Sequence, residues 1–183
     1  QYPAKGNPNL ATQISETTTN PKILIDPGQW GLDHGSWTVL KHIYPQANIP
    51  VLQLSLDMSQ GPAFHYEMGK KISSLREEGV LILGSGNIVH NIAKINWKID
   101  ANPHSWALEF DLWVKDKLVK RDFEPLVNEV LKTEAGQLSI PTWDHYYPLL
   151  YILGASHTDD KLAFDFEGMQ NASMSMRSLS FSS

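Results

Sequence analysis

Gly79-Val80-Leu81-Ile82-Leu83-Gly84-Ser85-Gly86-Asn87-Ile88-Val89-His90 is the stretch on which the fold turns. Val80–Leu83 is a continuous apolar run, too short for a buried helix and suited to a strand covered on both faces of a sheet. The Gly-Ser-Gly-Asn loop ends that strand. His90 follows at its carboxyl end, where open α/β sheets place their ligands. Immediately upstream, Phe64, Met68, Ile72 and Leu75 form one stripe along Pro62–Glu78, and Gly79 is a typical helix stop.

Working outward, Lys22–Asp26 and Ile49–Leu56 also read as strands. Asn7-Pro8 is a helix start, an N-cap followed by proline at the first helical position. Gly35–Tyr44 has helical spacing in Trp37, Leu40, Ile43 and Tyr44. Further helices are expected at His104–Lys120, with Trp106, Phe110, Trp113, Val114 and Leu118 inward, at Phe123–Leu131, and at Thr142–Ala155 from a Thr cap. Leu162–Phe166 and Ser173–Phe181 alternate as strands. In the second, Met174 and Met176 are out of phase with Leu179 and Phe181, which predicts a bulge or break near Arg177-Ser178. The expectation is one domain over residues 1–183, a layered α/β/α fold with a central mixed sheet in which Lys22–Asp26, Ile49–Leu56 and Val80–Gly84 lie side by side.

The chain has 183 residues and a formal net charge of −5, a balance that gives no attraction for nucleic acid or an anionic membrane surface. Its 42% hydrophobic content is that of a packed globular domain. There is no cysteine, so disulfides, thiolate metal sites and Cys nucleophiles are excluded. Gln1-Tyr2-Pro3-Ala4 has neither a basic segment nor an apolar core, so it does not read as a signal peptide, and the expected location is the cytoplasm.

Of seven histidines, four have plain structural readings or weaker claims. His42 lies on a helix without a nearby acid, His157 sits in a polar Ser-His-Thr-Asp-Asp tail, and His104 suits a helix N-terminus. His65, just past the exposed-looking start of its helix, is a candidate for lining a site. His34 lies among glycines, with Asp33 placed to orient its imidazole. His90 follows the apolar strand, and His145 sits in the aromatic segment Thr142-Trp143-Asp144-His145-Tyr146-Tyr147-Pro148. Together these three suggest an oxygen- and nitrogen-ligand metal site suited to Fe(II) or Zn(II), although no two have the i, i+4 spacing of a helical metal pair. Trp30, Trp37 and Trp143 are candidates for its walls.

The combination of Gly31-Leu32-Asp33-His34-Gly35-Ser36-Trp37, Tyr44-Pro45, Ile49-Pro50-Val51-Leu52-Gln53-Leu54-Ser55, Gly84–Asn91, Pro141-Thr142 with Asp144-His145-Tyr146, Glu167-Gly168 and Ser173-Met174-Ser175-Met176 resembles the LigB-like class III extradiol ring-cleavage dioxygenases, in their 4,5-DOPA branch. The resemblance implies a non-haem Fe(II) or Zn(II) that chelates both hydroxyls of a small catechol substrate and activates O₂, with no nucleic acid or membrane partner. It carries His90 and His145 over as metal ligands. It leaves His90 an alternative role as the acid/base beside the metal, and it gives His34 a catalytic role in hydrogen-bonding O₂ or a substrate hydroxyl. Family members carry two further ligand histidines upstream of the segment that Gln1 begins. The expectation is therefore the C-terminal part of such a domain, holding metal weakly and inactive alone. Two other functions stay open: a zinc-dependent hydrolase, since an all-His site also suits zinc, and a non-enzymatic binding member of the same superfamily.

Overall fold

The computed structural model describes residues 2–183; Gln1 lies outside them. The chain divides into two compact units, Gln1–Ser55 and Leu56–Ser183.

The first unit holds helices α1 (Pro8–Thr17) and α2 (His34–Ile43). Local signals account for both. The Asn7 side chain accepts the Leu10 N–H at 3.1 Å, with proline at the first helical position. The Asp33 carboxylate accepts the Ser36 N–H at 2.8 Å to open α2.

The second unit begins with α3 (Pro62–Ile72), which tightens into a 3₁₀ turn over Ser73–Glu78 and stops at Gly79, whose φ of 78° is the left-handed conformation that glycine adopts without strain. After the Val80–Asn91 segment come α4 (Ser105–Val119), α5 (Glu124–Asn128), α6 (Glu134–Ser139) and α7 (Tyr147–Ala155). Ala107, Phe110, Val114 and Leu118 of α4 are buried against Leu126 and Val127 of α5 and Tyr147, Leu150 and Leu153 of α7, with Ile88 and Val89 in the same core. Each such large side chain contributes about 1.5–3 kcal/mol by leaving water.

Two antiparallel pairs finish the chain: β1 (Lys161–Phe166) with β4 (Ser178–Ser182), and β2 (Met169–Gln170) with β3 (Met174–Ser175). The phase slip expected near Arg177-Ser178 is real. Strand β3 ends at Ser175, β4 restarts at Ser178, and the opposing strand carries an irregularity between Phe164 and Phe166. The break turns Arg177 inward while Leu179 and Phe181 still reach the core.

The central mixed sheet is where observation and expectation part. Among the described residues, the strand ladders are these two small antiparallel pairs, and none runs through Lys22–Asp26, Ile49–Leu56 or Val80–Gly84 beyond an isolated Thr19–Lys22 bridge. The architecture is mixed helix with small antiparallel sheets. Val80–Leu83 alternates between half-buried Val80 and Ile82 and exposed Leu81 and Leu83. An apolar run specifies burial only where the tertiary structure supplies a cover for each face, and here the second face has none. The last helix also starts later than its Thr142 cap suggests: residues 141–146 form a turn, and α7 opens at Tyr147-Pro148.

Candidate active site

The second unit brings His90 and His145 together. Their imidazoles stack with centroids 3.5 Å apart and planes at 14°. The Gly-Ser-Gly-Asn loop makes this possible by running against the backbone of the His145 turn. A Cβ on Gly86 would overlap the His145 carbonyl oxygen, and that same oxygen accepts the Asn87 N–H at 3.0 Å. Only glycine allows so close an approach.

The His90 side of the pair is clamped by backbone. His90 N–H donates to the Ser139 carbonyl at 3.0 Å, Ser175 N–H donates to the Val89 carbonyl at 3.0 Å, and Asn91 N–H donates to the Ser173 carbonyl at 3.2 Å. The Asn87 amide donates to the Ser175 carbonyl at 2.7 Å, and the Asn91 amide to the Leu138 carbonyl at 2.7 Å. Beneath this clamp, the Ser175 hydroxyl donates to Asp111 at 2.5 Å, and Arg177 pairs with Asp111 at 2.5 Å and also with Glu167. Asp111 and Arg177 are buried, so the ion pair is dry and hydrogen-bonded, the condition under which removing one partner is costly.

Electrostatics separates the site's members. Burial, and then the neighbouring His145 imidazole, push His90 below the ordinary histidine value, with Asp144 opposing. His90 is therefore a neutral base near pH 7. Burial would raise the Asp144 carboxyl, but its hydrogen bond with Thr142 and the adjacent His145 outweigh that and hold it below the usual carboxylate range. An Asp144 oxygen lies 3.4 Å from His145 Nε2.

The other histidines fall into structural places. His34 is exposed in the first turn of α2. Asp33 does not orient it, because its carboxylate caps the helix and meets the Gln53 amide at 3.3 Å. His42 is exposed, and His104 precedes α4 with Nε2 2.9 Å from the Lys94 carbonyl, as its sequence position suggests. His157 is half-buried near Glu77, at 3.7 Å. His65 overturns its reading: it is fully buried, because α3 turns that face onto α7. Of the three tryptophans, Trp143 stacks on Tyr147 at 5.3 Å, while Trp30 is 83% exposed. Sequence reasoning missed Ser139, Asp111 and Arg177, whose link to His90 depends on contacts across 49 to 86 positions that leave no local pattern.

The donors suit a metal in kind but not in number. Among the described residues, no group of three or more His, Asp or Glu side chains could hold an ion. Imidazole lone pairs lie in the ring plane. Two near-parallel rings 3.5 Å apart cannot both aim at one ion about 2.0–2.1 Å from each nitrogen. No helix among the described residues is long and apolar enough to cross a membrane.

The family described as the catalytic LigB subunit of aromatic ring-opening dioxygenase matches residues 1–181. The 4,5-DOPA dioxygenase extradiol of Escherichia coli (strain K12) is 44% identical over 181 residues, covering 97% of this chain and 66% of that protein. The enzyme of the same name from Mirabilis jalapa is 38% identical over 169 residues, covering 88% of this chain and 60% of that one. The crystal structure of an uncharacterized protein from Escherichia coli K12 superposes with a TM-score of 0.90 at 43% identity, over 98% of this chain and 74% of that chain. The chain thus spans less than two thirds of the length of these two enzymes, 66% of one and 60% of the other.

Proposed function

Since the chain belongs to the family of catalytic LigB subunits of aromatic ring-opening dioxygenases, we propose that this protein is an extradiol ring-cleavage dioxygenase that inserts both atoms of O₂ into a small catechol of the 4,5-DOPA type. The observation that carries the reading is the stacked His90–His145 pair, held by the glycine loop within a chain that matches the family over almost its entire length. That match runs across both units, which supports reading residues 1–183 as part of one catalytic domain, and the family's layered α/β/α architecture with a central mixed sheet goes with it. Cytoplasmic residence is part of the same proposal.

In this reading His145 supplies an imidazole ligand and His90, neutral at working pH, takes a proton from a catechol hydroxyl at a ring nitrogen and later returns it. The alternative, both histidines as ligands, requires one ring to rotate out of the stack. A non-haem metal, Fe(II) or Zn(II), would supply catecholate chelation, and Fe(II), unlike redox-inert Zn(II), would also supply O₂ activation. The donors present do not complete its site, so no step is assigned through it. A role for His34 in holding O₂ or a substrate hydroxyl rests on the sequence resemblance.

A second reading, a catechol-binding member without turnover, is favoured by one observation: the donor set described above is short of a complete metal site. Incubation with Fe(II), O₂ and L-DOPA separates the two. In a protein that carries the family's remaining ligands, the enzyme reading expects O₂ uptake matched by a yellow ring-opened semialdehyde, abolished by His90→Phe and slowed by His34→Phe, whereas the 183-residue chain alone shows no turnover above free iron. Catechol binding without O₂ uptake in that complete protein overturns it in favour of the second reading.

A further inference from the structure

His65 is a buried titratable group that the proposed chemistry leaves unused. It lies on α3 one turn before Gly69, and both face α7. At Gly69 the two helices touch backbone to backbone, since a Cβ there would overlap the Tyr151 carbonyl; Gly154 meets the Tyr66 carbonyl in the same way. These contacts set the depth of α7 around residues 151–154. The first turn of α7, which adjoins His145, is set by something else.

There His65 stacks on Tyr147 with centroids 3.8 Å apart and planes at 27°, and Tyr147 stacks in turn on Trp143 at 5.3 Å and 11°. The Tyr147 hydroxyl donates to the Gln60 carbonyl at 2.9 Å, closing the column on the loop before α3. His65 Nδ1 lies 3.2 Å from the Tyr151 hydroxyl, so one imidazole touches two successive turns of α7 and its ring rotation is fixed by a hydrogen bond. Its Nε2 is sealed from water: the Gln60 and Asp57 carbonyls act on the imidazole, but neither makes a hydrogen bond of normal geometry to this nitrogen. A phenyl ring of similar shape would pack here without that cost, so packing alone does not account for an imidazole.

We propose that His65 is a positioning residue for the His90–His145 pair: locked by Tyr151, its ring sets the plane of Tyr147 and, through the Trp143 stack, the turn that holds His145 over His90. The role given to that pair rests on the dioxygenase reading; the geometry does not. The test needs neither metal nor catechol. Each ring of a stacked pair shields the protons of the other, so in the 183-residue chain the His90 and His145 ring protons resonate upfield of exposed histidines in proton–carbon NMR spectra. His65→Leu removes stack and lock together, and both sets of resonances should relax toward exposed values. His65→Phe keeps the stack, Tyr151→Phe keeps the imidazole but frees it, and each should produce a smaller shift in the same direction. A folded His65→Leu chain with a lower melting midpoint but unchanged His90 and His145 resonances would show a packing role only. If His65→Leu does not fold, unchanged resonances in both His65→Phe and Tyr151→Phe overturn the proposal. Absent ring cleavage in a protein that carries the family's remaining ligands, with these shifts intact, would instead count against the dioxygenase reading.

Discussion

Residues up to Ser55 and residues from Leu56 onward are folded by different means. In the first unit Leu40 is the one buried apolar side chain among the described residues, at 8% exposure, while Leu24 and Trp30 are 79% and 83% exposed. Its helices stand on caps and on the hydrogen bonds of individual turns. In the second unit the helices bury Ala107, Phe110, Val114, Leu118, Leu126, Leu150 and Leu153 together, and a dry ion pair fastens the terminal strands to α4. Helix propensity and caps can start a short helix but rarely hold one in water, whereas a shared apolar core makes several helices one cooperative body. The stacked histidines sit on the second kind of structure, which is the kind that can hold two rings in register.

Substitutions can test that contrast. Asp111→Ala should rank with the largest effects, roughly 3–5 kcal/mol of destabilisation in urea titration, because it strips the Ser175 hydroxyl of its acceptor and leaves a buried Arg177 facing Glu167 alone. A change below about 0.5 kcal/mol would show that the clamp does not bear on stability. Leu150→Ala, at a site with no exposure, should cost about 2–5 kcal/mol in the same assay, whereas Leu24→Ala, on the exposed chain of the first unit, should stay within about 0.5. Equal losses would erase the distinction between the units.

The pH dependence of stability comes next in size. Burial holds the His65 imidazole below the ordinary histidine value of 6.5 against the pull of the Gln60 and Asp57 carbonyls, so it stays neutral in the folded chain when the unfolded chain protonates it. Its contribution is complete above that value and is lost as pH falls below it, with a slope of up to about 1.4 kcal/mol per pH unit. His90, also depressed, adds slope of the same sign. Denaturation midpoints from pH 7.5 to 5.5 should therefore fall less steeply in His65→Phe than in the parent, and an identical profile would place His65 in contact with water. A modest effect is expected at the first helix cap: Asn7→Ala removes the α1 cap and should lower helicity by circular dichroism, at a cost of about 1 kcal/mol.

The sequence by itself determined what depends on neighbours within a few residues. Asn7-Pro8 and Gly79 mark helix ends through backbone geometry and hydrogen bonding, the apolar steps of 105–119 mark the inner face of α4, and the phase slip at Arg177-Ser178 marks the break between β3 and β4. It also singled out Gly84–His90 and the His145 turn. It could not show that Gly86 is the point of contact between them, because the carbonyl that excludes a Cβ lies 59 positions away. Tertiary structure alone decided that Leu81 and Leu83 remain exposed, that His65 is sealed beneath Tyr147, and that Arg177 reaches Asp111. A hydrophobic run or a lone histidine carries a preference for burial, but which surface does the burying is a property of segments remote in sequence, and no local pattern encodes it.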